Sequence, residues 1–237
     1  MTATNRASGE AAGVIPVRSR VNGTRIVDLV VASHNQAKLA TIAELIGDLA
    51  LVRAASAAAL GDAPENAASL AANAEAKACR VSRQDPAALV VATDGGLLLP
   101  ALGDGWDPLQ TRRFAGPQAT DRERTEQLLA LMEPYHGAER EIAWQEAMAV
   151  ARAGEIIASW TAASPPGRLA AELDDRATQY ASGFWLPPLW VCPEWGNRRL
   201  ADLTPVERGR HDDHWRRLGR KLRRLVSDDA SGDAPNR

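Results

Sequence analysis

The feature that most constrains this chain is a short apolar run that ends in a polar turn. Ile26 to Ala32 reads IVDLVVA, β-branched and of strand length, and Ser33-His34-Asn35-Gln36 follows it. Apolar residues then recur at Leu39, Ile42, Ala43, Leu45 and Ile46 with helical spacing. The order is strand, polar turn, helix. An alanine-rich helical stretch, Ser69 to Arg83, is closed by Asp85-Pro86 and leads into a second buried strand, Ala88 to Ala92 (ALVVA). Strand and helix alternate, so the expected class is α/β. A chain of 237 residues holds one large domain of this kind or two small ones, and one is the simpler solution.

Further along, Asp121 to Met132 reads as a helix with Thr120 or Asp121 as its N-cap. Glu141 to Arg152 and Glu155 to Ala163, separated by Ala153-Gly154, read as a long hairpin. The tryptophan-rich segment Gly183 to Trp195 (GFWLPPLWVCPEW) reads as a rigid loop, because Pro187 and Pro188 remove backbone donors and fix the chain. A last helix is expected over Thr204 to Val226, with Trp215, Leu218, Leu222 and Leu225 on roughly one face. Residues 1–24 and 228–237 are small, polar and aperiodic and are expected to be disordered tails, which leaves a single domain over 25–227.

Composition narrows the function classes. Hydrophobic residues at 45% and charged residues at 24% are ordinary for a folded globular body. A net charge of -2 gives no basic excess of the kind that grips a nucleic-acid backbone, and the basic run Arg216 to Arg224 reads as the solvated face of the last helix. No apolar run suits a signal peptide or a bilayer span, so no membrane partner is expected. Cys79 and Cys192 are too few for a disulfide framework, which makes a reducing, cytoplasmic setting the expectation.

Three constellations could carry chemistry. Ser33, His34, Asn35 and Lys38 lie where a buried strand feeds a helix N-terminus; unsatisfied amides, the helix dipole and the lysine charge suit a phosphate there. Thr93-Asp94-Gly95-Gly96 follows the ALVVA strand. It reads either as a tight turn capped by Asp94 or as a carboxylate placed to hold a divalent cation or activate water. Glu65 sits in an acidic connection, solvated unless Asp94 or another partner makes it a metal ligand.

These pieces, in this order, resemble the inosine/xanthosine triphosphate pyrophosphatase family. The family's ATGNxGK motif is similar to Ala32 through Lys38. Its acidic residue and ENAxxKA helix resemble Glu65 and Asn73 through Ala78, and its ADDSGL resembles Ala92 through Leu97. SARYxG and DATD resemble Thr111 through Gly116 and Ala119 through Asp121, GFGYDPxF resembles Gly183 through Trp190, and the closing AELTxEEKxxxSHRGxAL resembles Ala201 through Leu218. The resemblance covers about Ile26 to Leu225.

It implies an elongated mixed sheet with flanking helices and a central nucleotide cleft, a homodimer, and Mg2+-dependent hydrolysis of a purine nucleoside triphosphate to monophosphate and pyrophosphate. On this footing Asp94 and Lys38 are the catalytic expectations, and Glu65 and Asp94 the metal ligands. Ser33, His34, Asn35, Lys38, Arg113, Phe184, Trp185, His214 and Arg216 are the substrate contacts. The chain also departs from the pattern: Thr93 replaces the first Asp of ADDSGL, Gly95 its Ser, and Pro187 the Asp of GFGYDP. One carboxylate of a pair is missing, leaving Glu65 and Asp94. Three readings follow: a pyrophosphatase, the same enzyme acting on a modified nucleotide, or a non-catalytic nucleotide-binding or assembly subunit.

Overall fold

The structure, a computed structural model, describes residues 20–21, 24–61, 67–173, 185–210 and 214–232. It opens with a two-stranded ladder, β1 (Arg20–Val21) against β2 (Thr24–Arg25), at the border between the expected tail over 1–24 and the expected domain from 25. Thr24 and Arg25 stand directly before the apolar run, and antiparallel pairing satisfies their backbone groups. The run itself forms β3 (Val27–Val31), and Asn35 caps helix α1 (Gln36–Ile46). After β4 (Ala50–Ala54) and the short α2 (Ala57–Leu60), Ser69 caps α3 (Leu70–Gln84).

β5 (Leu89–Leu98) corrects one expectation. It does not turn at Thr93-Asp94-Gly95-Gly96 but runs straight through them. The reason lies in its partner: β6 (Glu141–Arg152) pairs antiparallel with β5 from Val90↔Ala151 to Leu98↔Ala143, so the ladder holds the glycines extended. Gly96 is required where the chain at Pro108 crosses the strand, since a Cβ there would lie 2.9 Å from the Pro108 carbonyl carbon.

α4 (Asp121–Leu131) starts with the Thr120/Glu123 capping box, and β6 and β7 (Glu155–Ala163) form the expected hairpin. β8 (Gly167–Leu169), β9 (Trp190–Cys192) and β10 (Arg198–Arg199) extend the sheet. β9 is a second correction: the tryptophan-rich loop contains a strand. Between Pro188 and Pro193 the backbone carries no proline, and Trp190–Cys192 pairs with both β8 and β10.

The eight strands run in the order β10-β9-β8-β6-β5-β3-β4, with β7 also on β6. β3 pairs parallel to β4 and β5, and the remaining pairs of this sheet are antiparallel. This mixed α/β sheet with flanking helices is the expected fold class.

The closing helix is divided into α5 (Pro205–Arg210) and α6 (His214–Ser231), with residues 211–213 outside the described set. α6 also runs past residue 228, where fraying was expected, because Arg152 holds Asp229 through two hydrogen bonds of 2.7 and 2.9 Å. Asp229→Ala should raise amide exchange in the last turn of α6 while lowering global stability by only about 1 kcal/mol or less, because the pair is partly solvated. Unchanged protection there would show that the pair does not hold the helix end.

Three apolar clusters make the core. α3 packs on one face of the sheet through Leu70, Ala74, Ala78 and Val81, against Val90, Ala92, Ala147 and Ala149. Ile42 and Ile46 of α1 and Trp215, Leu218, Leu222 and Val226 of α6 cover the opposite face, against Leu29, Val31, Val91 and Met148. Gly219 lets the two helices approach closely; a Cβ would lie 2.7 Å from Leu45 Cδ2. The third cluster begins further along the same long strands, at Leu97 and Ile142.

Candidate functional site

Along β5 the apolar residues stop at Ala92 and resume at Leu97, and the gap is Thr93-Asp94-Gly95-Gly96. It lies where the first two clusters give way to the third. Side chains alternate along a strand, so Thr93 faces α1 and α6 while Asp94 faces α3. Two polar groupings therefore stand back to back on one strand.

On the α3 side, Asp94 accepts from Asn73 Nδ2 at 2.9 Å and from Lys77 Nζ at 3.0 Å. Asn73 and Lys77 are four residues apart on α3 and so share a face. Lys77 also donates to the Thr93 carbonyl oxygen at 3.1 Å, and Asn73 Oδ1 accepts from the Ala67 amide at 3.0 Å. Asp94 is thereby held on both oxygens, near the surface rather than sealed, with 14% of its side chain exposed.

On the other side, Lys38 reaches from the first turn of α1. Its ammonium donates to Glu146 Oε1 at 2.7 Å and to Thr93 Oγ1 at 3.2 Å. The Trp144 indole N–H donates to Glu146 Oε2 at 2.8 Å. Glu146 is wholly buried and Lys38 17% exposed. Burial alone would push the Glu146 carboxyl up; the Lys38 charge and hydrogen bond, the Trp144 donor and the His214 charge outweigh it and hold the group below the ordinary carboxylate range. Glu146 faces Gly95 across the ladder, and a Cβ on Gly95 would lie 2.9 Å from Glu146 Cδ and 2.8 Å from Trp144 Cζ2. A side chain at position 95 and a carboxylate at 146 compete for the same space.

The other expected contacts are distributed as follows. Asn35 Oδ1 accepts from the Ala37 and Lys38 amides, so first-turn donors expected to meet a phosphate are held by their own cap. Ser33 Oγ accepts from the Asn35 amide, and His34 is exposed. Arg113 donates to Gln110 Oε1 and to the Leu109 carbonyl. The Trp185 ring stacks 6.1 Å from Phe114, which meets Trp106 edge-on at 5.1 Å. His214 is half-buried at the start of α6, its ring 5.7 Å from Trp215, and Arg216 is exposed in the same first turn. Glu65 and Phe184 lie outside the described residues.

The count of carboxylates also changes. Glu65 and Asp94 are not all that remain, because Glu146 adds a carboxylate from β6. Sequence reasoning missed Glu146 and Trp144, and read Asn73 and Lys77 only as part of the ENAxxKA-like helix, without a role in the site. The signal for Glu146 was one acidic residue in an otherwise apolar strand half, EAMAVA, which must find a buried partner. For Asn73 and Lys77 it was two polar residues four apart in an alanine-rich helix.

Fold and site together define an α/β protein whose mixed sheet gathers lysines and carboxylates at one point of its central strand. The chain belongs to the Ham1 family, whose model matches residues 29–223. Similar solved structures include a HAM1 protein from Coxiella burnetii, 24% identical with a TM-score of 0.69, covering 86% of this chain and 100% of that one. The Ham1 protein of Staphylococcus aureus is 20% identical with a TM-score of 0.68, covering 85% and 99%. A nucleoside-triphosphatase from Mycobacterium abscessus, described as a dITP/XTP pyrophosphatase, is 28% identical with a TM-score of 0.60, covering 84% and 98%. No curated protein matches the chain significantly. Among the described residues no helix is long and apolar enough to cross a membrane.

Proposed function

We propose that this protein is a Mg2+-dependent pyrophosphatase that hydrolyses a purine nucleoside triphosphate, nonstandard or modified, to the monophosphate and pyrophosphate. The observation that carries the reading is Asp94, oriented on both oxygens by Asn73 and Lys77, one residue from the strand position that Lys38 reaches from the opposite face. Membership of the Ham1 family and the likeness to the Mycobacterium abscessus dITP/XTP pyrophosphatase support it.

In this reading Asp94 takes a proton from a water as the water oxygen bonds to the α-phosphorus. The bond from that phosphorus to the bridging oxygen breaks, and pyrophosphate leaves with the electron pair. Lys38 and Lys77 set positive charge beside the accumulating negative charge.

The residues present suit a divalent cation. Asp94 is a hard oxygen donor whose two oxygens each accept one hydrogen bond and retain further lone-pair capacity. Mg2+ in such sites takes one or two carboxylates plus substrate phosphates. Asp94 and Glu65 would hold the ion. Glu65 precedes by two residues Ala67, whose amide Asn73 binds. Once bound, such a cation polarises phosphoryl oxygens and offsets their charge.

Leu186 and Pro187 are buried and offer no side-chain hydrogen bond to a base. Base choice therefore rests on shape and on stacking at Trp185 and Phe184, with Ser33, His34, Asn35, Arg113, His214 and Arg216 as further contacts. We place the protein in the cytoplasm, given its two free cysteines, and as a homodimer, by resemblance to its family.

A second reading, a nucleotide-binding subunit without turnover, is favoured by one observation: the Lys38 charge is already met by Glu146. Pyrophosphate release across a panel of standard, deaminated and modified purine triphosphates separates the two. Turnover of at least one, abolished by EDTA, is expected; calorimetric binding with no release from any would establish the second reading.

A further inference from the structure

Glu146 is a fully buried carboxylate that the proposed reaction does not use. Each of its oxygens has one partner, Lys38 on Oε1 and the Trp144 indole on Oε2. Its carboxylate occupies the space that a side chain at position 95 would fill. An ammonium has three N–H donors. Glu146 and Thr93 Oγ1 take two of those on Lys38, and with the lysine 17% exposed the third is left for a substrate oxygen. An unrestrained lysine would spread its charge over many rotamers, whereas this one is held at a single point on the strand that carries Asp94.

We infer that Glu146 is a positioning residue for Lys38. It supplies from β6 the carboxylate that the motif on β5 lacks at Thr93, and Gly95 is the companion change that makes room for it. Thr93 and Gly95 lie on the same strand face, two residues apart, and Thr93 Oγ1 is already 3.2 Å from Lys38 Nζ. An aspartate at position 93 could therefore reach the same ammonium. The carboxylate is transferable between the strands, and only one is wanted. With both present, two carboxylates would crowd one lysine.

The inference rests on the proposed activity, and the experiment separates the two. Wild type, Glu146→Ala, Thr93→Asp and the double variant are compared for pyrophosphate release and for thermal unfolding. Glu146→Ala should lower kcat about 10- to 100-fold, the usual cost of removing a group that orients a catalytic one, with KM changed far less. Thr93→Asp combined with Glu146→Ala should recover most of that loss, and Thr93→Asp alone should lower Tm. Full kcat in Glu146→Ala, or a folded double variant no more active than Glu146→Ala, would overturn the inference while leaving the activity standing. If wild type releases no pyrophosphate, the proposed activity fails and the unfolding data decide. Strong non-additivity between positions 93 and 146 supports the shared hold on Lys38, and additivity overturns it.

Discussion

Asp94→Asn should lower pyrophosphate release by about 10²- to 10⁴-fold, the range spanned by loss of a general base, with the fold retained. Asparagine has nearly the shape of aspartate but cannot accept a proton at neutral pH, and it offers one acceptor oxygen where Asn73 and Lys77 now use two. One of those donors loses its bond to residue 94, and the negative charge that Asp94 sets beside Lys77 is removed. Both groups lie near the surface, with Asp94 and Lys77 each 14% exposed, so water can replace much of what is lost and the stability cost should stay near 1–3 kcal/mol. Steady-state kinetics on the best substrate of the panel, with circular dichroism as the folding control, test this. A folded Asp94→Asn protein at wild-type rate would remove Asp94 from the reaction.

The second large effect is on stability. Lys38→Met should destabilise the protein by about 3–5 kcal/mol, the cost of removing one partner from a buried ion pair. Glu146 has no exposed surface, so water cannot replace the ammonium, and Trp144 alone cannot balance the charge.

The sign of the pH dependence follows. In the wild type the Glu146 carboxyl is depressed, so its contribution is present above the unfolded value of about 4.3 and is lost as pH falls through the folded value. Without Lys38, burial is left largely unopposed and raises the carboxyl, so the protonated form is favoured in the folded state. The penalty of Lys38→Met should therefore shrink on acidification while the wild type loses stability. Urea unfolding of both proteins between pH 4 and pH 8 measures it. A penalty that is constant across that range would show that Glu146 does not carry the charge assigned to it.

Much of the site could be read from local pattern. Lys38 follows a strand-turn-helix junction, and Asp94 follows a buried strand; both assignments need only a few neighbouring residues. The helices at α1, α3 and α4 were legible for the same reason, since each carries a cap and a period of its own: Asn35, Ser69, and the Thr120/Glu123 box. What local pattern could not supply was anything decided across strands. Two glycines after Asp94 look like a turn until β6 is laid beside them, and three residues from Trp190 look like loop until β8 and β10 flank them. The end of α6 is a further case, where Arg152 on β6 holds a turn whose composition alone would fray.

The apolar run ending in a polar turn was decided by sequence alone: β-branched residues favour a strand, Asn35 starts a helix, and Lys38 falls in its first turn. Where the charge of that lysine goes was decided only by the tertiary structure. Glu146 lies 108 residues away and becomes its partner because antiparallel pairing sets residue 146 opposite Gly95. Spacing along one segment specifies a helix or a strand, but an ion pair between segments depends on register, and register is settled only when the whole sheet packs.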